Sequence, residues 1–172
     1  MIFVTVGTQL AFDRLVSAVD RWAGAAGRTD VFAQIGPSEL SPAHVRASRF
    51  VEPDEFARVA SEARAIVAHA GMGSILTALQ LGRPIVIMPR LARLKEHRND
   101  HQLATCARFR GTPGVYVADN EDALAGHLGR IDTLVGGPRI PPFASEELVS
   151  YLRTQILGVD AASPAALRRP PA

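Results

Sequence analysis

The sequence predicts a doubly wound α/β fold, a parallel sheet covered by helices on both faces, and three observations predict it. The strand candidates are short, continuous, β-branched apolar runs without apolar–polar alternation, the mark of strands buried on both faces. Segments with an apolar period near 3.6 lie between them. The two kinds of segment alternate along the chain, and that alternation calls for right-handed crossovers between parallel strands.

The first strand is expected at residues 2–6 and the first helix at 12–25, where Phe12, Leu15, Val16, Val19 and Trp22 fall on one face. A second strand follows at 30–35 and a brief third at 49–51. Pro53, with Asp54 and Glu55 behind it, opens a helix to about Ala63. Proline fits the first helical turn, and carboxylates favour the positive end of the helix dipole. A fourth strand at 65–68 leads to a helix at 74–81, stopped by Gly82-Arg83-Pro84. A fifth at 85–88 is followed by a helix capped by Asn99 or Asp100 and running to about Phe109. The sixth lies at 115–117, with helices at 121 to about 134 and 145 to about 157. Gly136-Gly137-Pro138 and Pro141-Pro142 read as a stiff linker before the last helix. Residues 1–157 are expected to form one domain, and 158–172 a disordered tail.

Composition narrows the function. A chain of 172 residues, 47% hydrophobic and 21% charged, is an ordinary folded globule. Its net charge of +2 is too even for a nucleic-acid footprint, and 6% aromatics give no platform for stacking bases. A single cysteine, Cys106, excludes an internal disulfide framework and a cysteine-rich metal site. No apolar run approaches the roughly 20 residues that span a bilayer. The first residues carry no basic leader, so a cytoplasmic location is expected, with membrane contact only through a partner.

Ligands of an open parallel sheet bind beyond the carboxyl ends of its strands, and three segments fall there. Gly7-Thr8-Gln9 follows the first strand; glycine permits a sharp turn, and the next two residues offer polar groups. His69-Ala70-Gly71-Met72-Gly73-Ser74 follows the fourth. Its two glycines bare backbone N–H groups, Ser74 is placed to cap the next helix, and the helix start attracts anions, a combination suited to a diphosphate. The loop is neither a phosphate-binding loop ending in Gly-Lys-Ser/Thr nor a serine nucleophile elbow. The third segment, 88–102, is dense in polar groups. Asn99, Asp100, His101 and Gln102 supply the donors and acceptors that hold sugar hydroxyls. His97 and His101 share a helical face but lack a third metal ligand, and Arg90, Arg93, Lys95 and Arg98 read as a solvated loop.

The opening Phe3-Val4-Thr5-Val6-Gly7-Thr8, the segment His69-Ala70-Gly71-Met72-Gly73-Ser74, Gly82-Arg83-Pro84 and Asn99-Asp100-His101-Gln102 together resemble the C-terminal, donor-binding domain of family 28 glycosyltransferases over roughly residues 1–155. The resemblance is to its stand-alone version, which includes the cytosolic catalytic subunit of the dolichol-linked N-acetylglucosaminyltransferase and small bacterial exopolysaccharide glycosyltransferase subunits. It implies a Rossmann-like half of a GT-B glycosyltransferase that takes a UDP-sugar. By that resemblance Gly71, Met72, Gly73 and Ser74, with His69 beside them, face the diphosphate. Gly7 and Thr8 close on the donor from the other side, Phe50-Val51-Glu52 line the uracil mostly through backbone atoms, and Asp100, His101 and Gln102 contact the sugar. Many members hold the ribose with a glutamate where this chain has Thr77.

A GT-B enzyme works in a cleft between two such halves, and this chain has length for one. The expectation is therefore a donor-binding and catalytic subunit that needs a membrane-anchored partner at the inner face of the membrane. The partner would hold a lipid-linked glycan acceptor and supply the general base, in polysaccharide biosynthesis. Orienting both substrates together is worth about 7–11 kcal/mol. No cofactor and no metal are expected. The alternative is a non-catalytic enhancer subunit assisting a partner glycosyltransferase.

Overall fold

A computed structural model of the chain describes residues 1–158. They fall into two compact units, Met1–Ile140 and the segment from Pro141 onward. In the first, strands β1 (Ile2–Thr5), β2 (Val31–Gln34), β3 (Arg46–Ser48), β4 (Ala65–His69), β5 (Ile85–Met88) and β6 (Val115–Val117) form one sheet in the order β3-β2-β1-β4-β5-β6. Every pairing is parallel. Helices α1 (Asp13–Ala25), α2 (Pro53–Glu62), α3 (Met72–Leu81), α4 (His101–Phe109) and α5 (Glu121–Leu128) cover it. The second unit carries α6 (Glu146–Leu157), capped by Ser145, whose hydroxyl accepts from the Leu148 N–H at 3.2 Å.

The apolar runs split strictly by parity. Ile2 and Val4 of β1, Ala65 and Val67 of β4, and Val86 and Met88 of β5 pack under α1 and α5 with Leu15, Val19, Leu124 and Leu128. Their neighbours Phe3, Ile66, Ala68, Ile85 and Ile87 pack on the other face with Val59, Ile75, Ala78 and Cys106. Each fully buried large aliphatic or aromatic side chain contributes about 1.5–3 kcal/mol of transfer free energy, so continuous runs serve a sheet with two cores. The strand order puts the reversal of winding between β1 and β4. That switch point opens a crevice beyond their carboxyl ends.

Four local expectations need correction. The third strand lies at Arg46–Ser48, not 49–51. It is an edge strand with an exposed Arg46 and Ala47, so no hydrophobic signal marks it, and the apolar Phe50 and Val51 lie beyond it. The loop before it is held to α1 by the Asp20 carboxylate, which accepts from the N–H groups of Ala43, His44 and Val45 at 3.1, 2.8 and 3.0 Å. Burial alone would raise the Asp20 pKa, but these three donors more than offset it and hold the carboxyl below its ordinary value. Helix α3 begins at Met72 with Gly71 as N-cap, so Ser74 is a buried first-turn residue rather than the cap. Helix α5 ends at Leu128, and a separate 3-10 turn, Ile131–Thr133, follows Gly129.

The fourth correction concerns the linker. A Cβ on Gly136 would sit 1.9 Å from the Gly82 carbonyl oxygen, and one on Gly137 would sit 2.1 Å from that of Pro113. The Tyr116 hydroxyl donates to the Val135 carbonyl at 3.0 Å and accepts from its N–H at 3.1 Å. Gly136 and Gly137 are therefore packed against the chain at Gly82 and Pro113, which glycine alone permits, while the Val135 side chain stays exposed. The tail expected at 158–172 lies, from residue 159 on, outside the described residues. Among the described residues no helix is long and apolar enough to cross a membrane.

Candidate functional site

Two glycine bends meet at the switch point. After β1 the chain turns at Gly7, whose φ of +76° lies in the left-handed region that favours glycine. The Gly7 N–H donates to Thr5 Oγ1 at 3.2 Å, and its carbonyl accepts from Gln34 Nε2 at 3.3 Å. After β4 the chain passes His69 and enters α3 at Gly71. The imidazole of His69 fills the space both glycines leave. A Cβ on Gly71 would lie 2.1 Å from its Nε2, and one on Gly7 would lie 3.0 Å from its Cε1. Beside it the first-turn N–H groups of Met72, Gly73 and Ser74 have no carbonyl of their own helix to bond, so the positive end of α3 faces the crevice.

Burial first, then the charge of Arg90, pushes the His69 pKa down to about 4, against a smaller opposing pull from the Thr5 backbone. Its Nδ1 is buried without a hydrogen-bond partner. At neutral pH His69 is an uncharged ring that offers shape and one hydrogen bond.

The opposite side is built by the chain after β5. Arg90, read from sequence as solvated, is only 3% exposed, whereas Arg93, Lys95 and Arg98 are exposed. Arg90 Nη2 donates to the carbonyls of Val6 at 2.8 Å and Leu10 at 2.6 Å, which ties this side to the first bend. Burial pushes its pKa down to about 10, partly restored by Glu96. Glu96 itself is gripped by Arg14, whose Nε and Nη2 donate to its two oxygens at 2.7 and 2.8 Å. Arg14 also pairs with Glu121 at 3.1 Å and donates to the Pro89 carbonyl at 2.9 Å.

A cavity of about 550 Å³ lies between these sides. Of the residues expected from sequence, Gly7, Thr8, Val51, His69, Gly71, Met72, Gly73, Ser74, Thr77, His101 and Gln102 line it. Phe50 and Asp100 do not. Phe50 is 53% exposed, with its carbonyl accepting from Ser48 Oγ at 2.7 Å, and Asp100 spends Oδ1 on the Ala92 N–H at 2.8 Å. Gln102 is buried, and its Oε1 accepts from the Arg90 N–H at 3.0 Å, so only its amide nitrogen is free for a ligand. His101 bonds the side-chain oxygen Oδ1 of Asn99 through Nδ1 and stands edge-on to His97, ring centres 4.5 Å apart. The His97 pKa is lowered by burial and then by His101 and Arg90. Gln34, Phe56, Arg90 and His97 also line the cavity and were not expected there. For Arg90 a signal existed, since it follows a strand end by two residues, where an open sheet keeps its ligands. Among the described residues no group of three His, Cys, Asp or Glu side chains is placed to hold a metal ion.

The glycosyltransferase family 28 C-terminal domain matches residues 1–111. Among solved structures, the glycotransferase of kitacinnamycin is 22% identical with a TM-score of 0.58, and the match covers 77% of this chain and 34% of that one. ALG13, solved by NMR, is 18% identical with a TM-score of 0.57, and the match covers 92% of this chain and 96% of that one. The calicheamicin glycosyltransferase CalG4 is 20% identical with a TM-score of 0.50, covering 75% and 34%. The chain thus spans about a third of the kitacinnamycin and calicheamicin enzymes and nearly all of ALG13. No curated protein matches it significantly. At these identities the structures speak for the fold alone, while the family match covers most of the chain: it belongs to the glycosyltransferase family 28 C-terminal domain family, the donor-binding part of glycosyltransferases.

Proposed function

We propose that the chain is the donor-binding and catalytic subunit of a two-component glycosyltransferase, moving a sugar from UDP to a lipid-linked acceptor in polysaccharide biosynthesis. The observation that carries this reading is the convergence of the Gly7 and Gly71 bends and the start of α3 on one open cavity. The diphosphate would lie against the N–H groups of Met72, Gly73 and Ser74, with the uracil toward Val51. The ribose would lie near Thr77, and the sugar toward His101 and the amide of Gln102.

In an inverting transfer the acceptor hydroxyl attacks the anomeric carbon opposite UDP, loses its proton to a base, and UDP departs with the electrons of the broken C–O bond. Oriented N–H donors offset the charge that grows on the departing diphosphate, so the proposed step uses no metal. No carboxylate lines the cavity among the described residues, and His69 is held neutral by burial. The reading therefore puts the base and the acceptor on a membrane-anchored partner at the cytoplasmic face. The same lack of a carboxylate favours a second reading, a non-catalytic enhancer that presents donor to a partner transferase.

Titration calorimetry with UDP and UDP-sugars tests the donor site. Saturable heat is expected, and none at millimolar UDP with the partner present would overturn it. Turnover by the pair separates the two readings. A His101→Ala chain that still binds donor but loses turnover supports the catalytic subunit, and turnover that falls only as far as donor occupancy falls supports the enhancer.

A further inference from the structure

The cavity holds a charge that the protein does not neutralise. Arg90 is 3% exposed and lines the cavity, yet among the described residues no carboxylate forms an ion pair with it. A guanidinium has five N–H donors. Nη2 serves the Val6 and Leu10 carbonyls, and Nε is buried with no partner. The one carboxylate that acts on it across space, Glu96, has both oxygens held by Arg14 and also accepts from the Leu91 N–H at 2.9 Å. Phe12 covers one side of the guanidinium, its ring centre 5.2 Å from Cζ.

A buried, unpaired cation is costly, and its cost falls when an anion is brought to it. The start of α3 meets the same cavity with positive partial charge. Two positive poles from different strand ends thus face one space. Neutral His69, wedged against both glycines, lines the same cavity without adding charge.

We infer that Arg90 is the fixed cation of this cavity and that it binds a diphosphate oxygen of the ligand, making the site selective for two phosphates over one. This rests on the donor reading for the nucleotide but not for the pyrophosphate group. Arg90 also positions the first bend through Val6 and Leu10, and the test separates the two roles.

The full chain and its Arg90→Gln and Arg90→Lys variants are titrated with inorganic pyrophosphate, UMP and UDP, with thermal melts as the check on folding. Arg90→Gln should weaken pyrophosphate and UDP by about ten- to a hundredfold and UMP by clearly less, since a charge-assisted hydrogen bond is at stake. Arg90→Lys keeps the charge but not the planar fork that bridges two carbonyls, so it should recover part of the pyrophosphate affinity lost in Arg90→Gln. Equal losses for UMP and UDP, or no loss, overturn the inference and leave Arg90 a framework residue. Should Arg90→Gln not fold, a folded Arg90→Lys that weakens UMP and UDP equally, or neither, overturns it as well. A parent chain that binds pyrophosphate but not UDP refutes the nucleotide reading and keeps this one, and a parent that binds neither refutes both.

Discussion

The two sides of the cavity reach a fixed shape by opposite means. On the β1–β4 side the shape comes from atoms that are missing, because Gly7 and Gly71 leave a slot and one imidazole fills it. On the β5 side it comes from atoms that reach far along the chain. Arg14 grips Glu96 across 82 residues, and Arg90 grips Val6 across 84. That side even turns through the left-handed region without glycine, at Lys95 with φ of 58°. A steric device tolerates no addition, whereas a network of polar bonds loses strength by degrees.

The hardest test of this contrast is Gly71→Ala. The new Cβ meets the half-buried His69 ring at 2.1 Å at an unstrained φ of −95°, so the effect is purely steric. A loss of about 3 kcal/mol in urea unfolding is expected. His69→Ala added to Gly71→Ala should recover part of it, and no recovery would show that the slot is not what the mutation fills.

Next in size is a pH effect confined to the glycine side. The His69 pKa is near 4 when folded and ordinarily near 6.5, so between these values the unfolded chain binds the extra proton. Stability from this group is complete above pH 6.5 and falls away as pH drops toward 4, by on the order of 2–3 kcal/mol. Carboxylates titrate nearby, so the measurement is the difference between parent and His69→Gln in urea unfolding at pH 7 and 4.5. Parallel pH slopes would mean the ring is not held neutral.

Glu96→Gln probes the other side. It removes the charge but keeps the shape of a partly buried pair, and a loss of about 1–2 kcal/mol in urea unfolding is expected. UDP affinity should fall less than in Gly71→Ala, because Arg90 still holds the first bend. The smallest effect is Lys95→Gly. Relief of the left-handed strain is offset by the greater freedom of unfolded glycine, leaving a change of about 0.5 kcal/mol or less in Tm-derived stability.

What could be read from the sequence follows the same division. Strands β1, β4 and β5 were legible because each is a continuous apolar run, short, β-branched and too brief for a buried helix. The glycine bends were legible because their chemistry is local to a few residues. Strand β3 was displaced because an exposed edge needs only backbone pairing, and Arg46-Ala47-Ser48 carries no apolar signal. The start of α3 was missed because Met72-Gly73 does not advertise a helix and Ser74 imitates a cap. Arg90 looked like one of four solvated cations. Only the folded chain brings Val6, Leu10 and Gln102 around it, and no window of sequence contains all four.

Cys106, on α4 against the sheet, has its thiol raised to about 11 by burial and is the chain's single cysteine. Alkylating dyes react with thiolates at accessible positions, so the native chain is a silent background for them. A cysteine introduced at Met72, 47% exposed on the cavity's rim, would take up a fluorophore alone. The dye would then report occupancy of the crevice optically, with no scavenging of native sulfur beforehand.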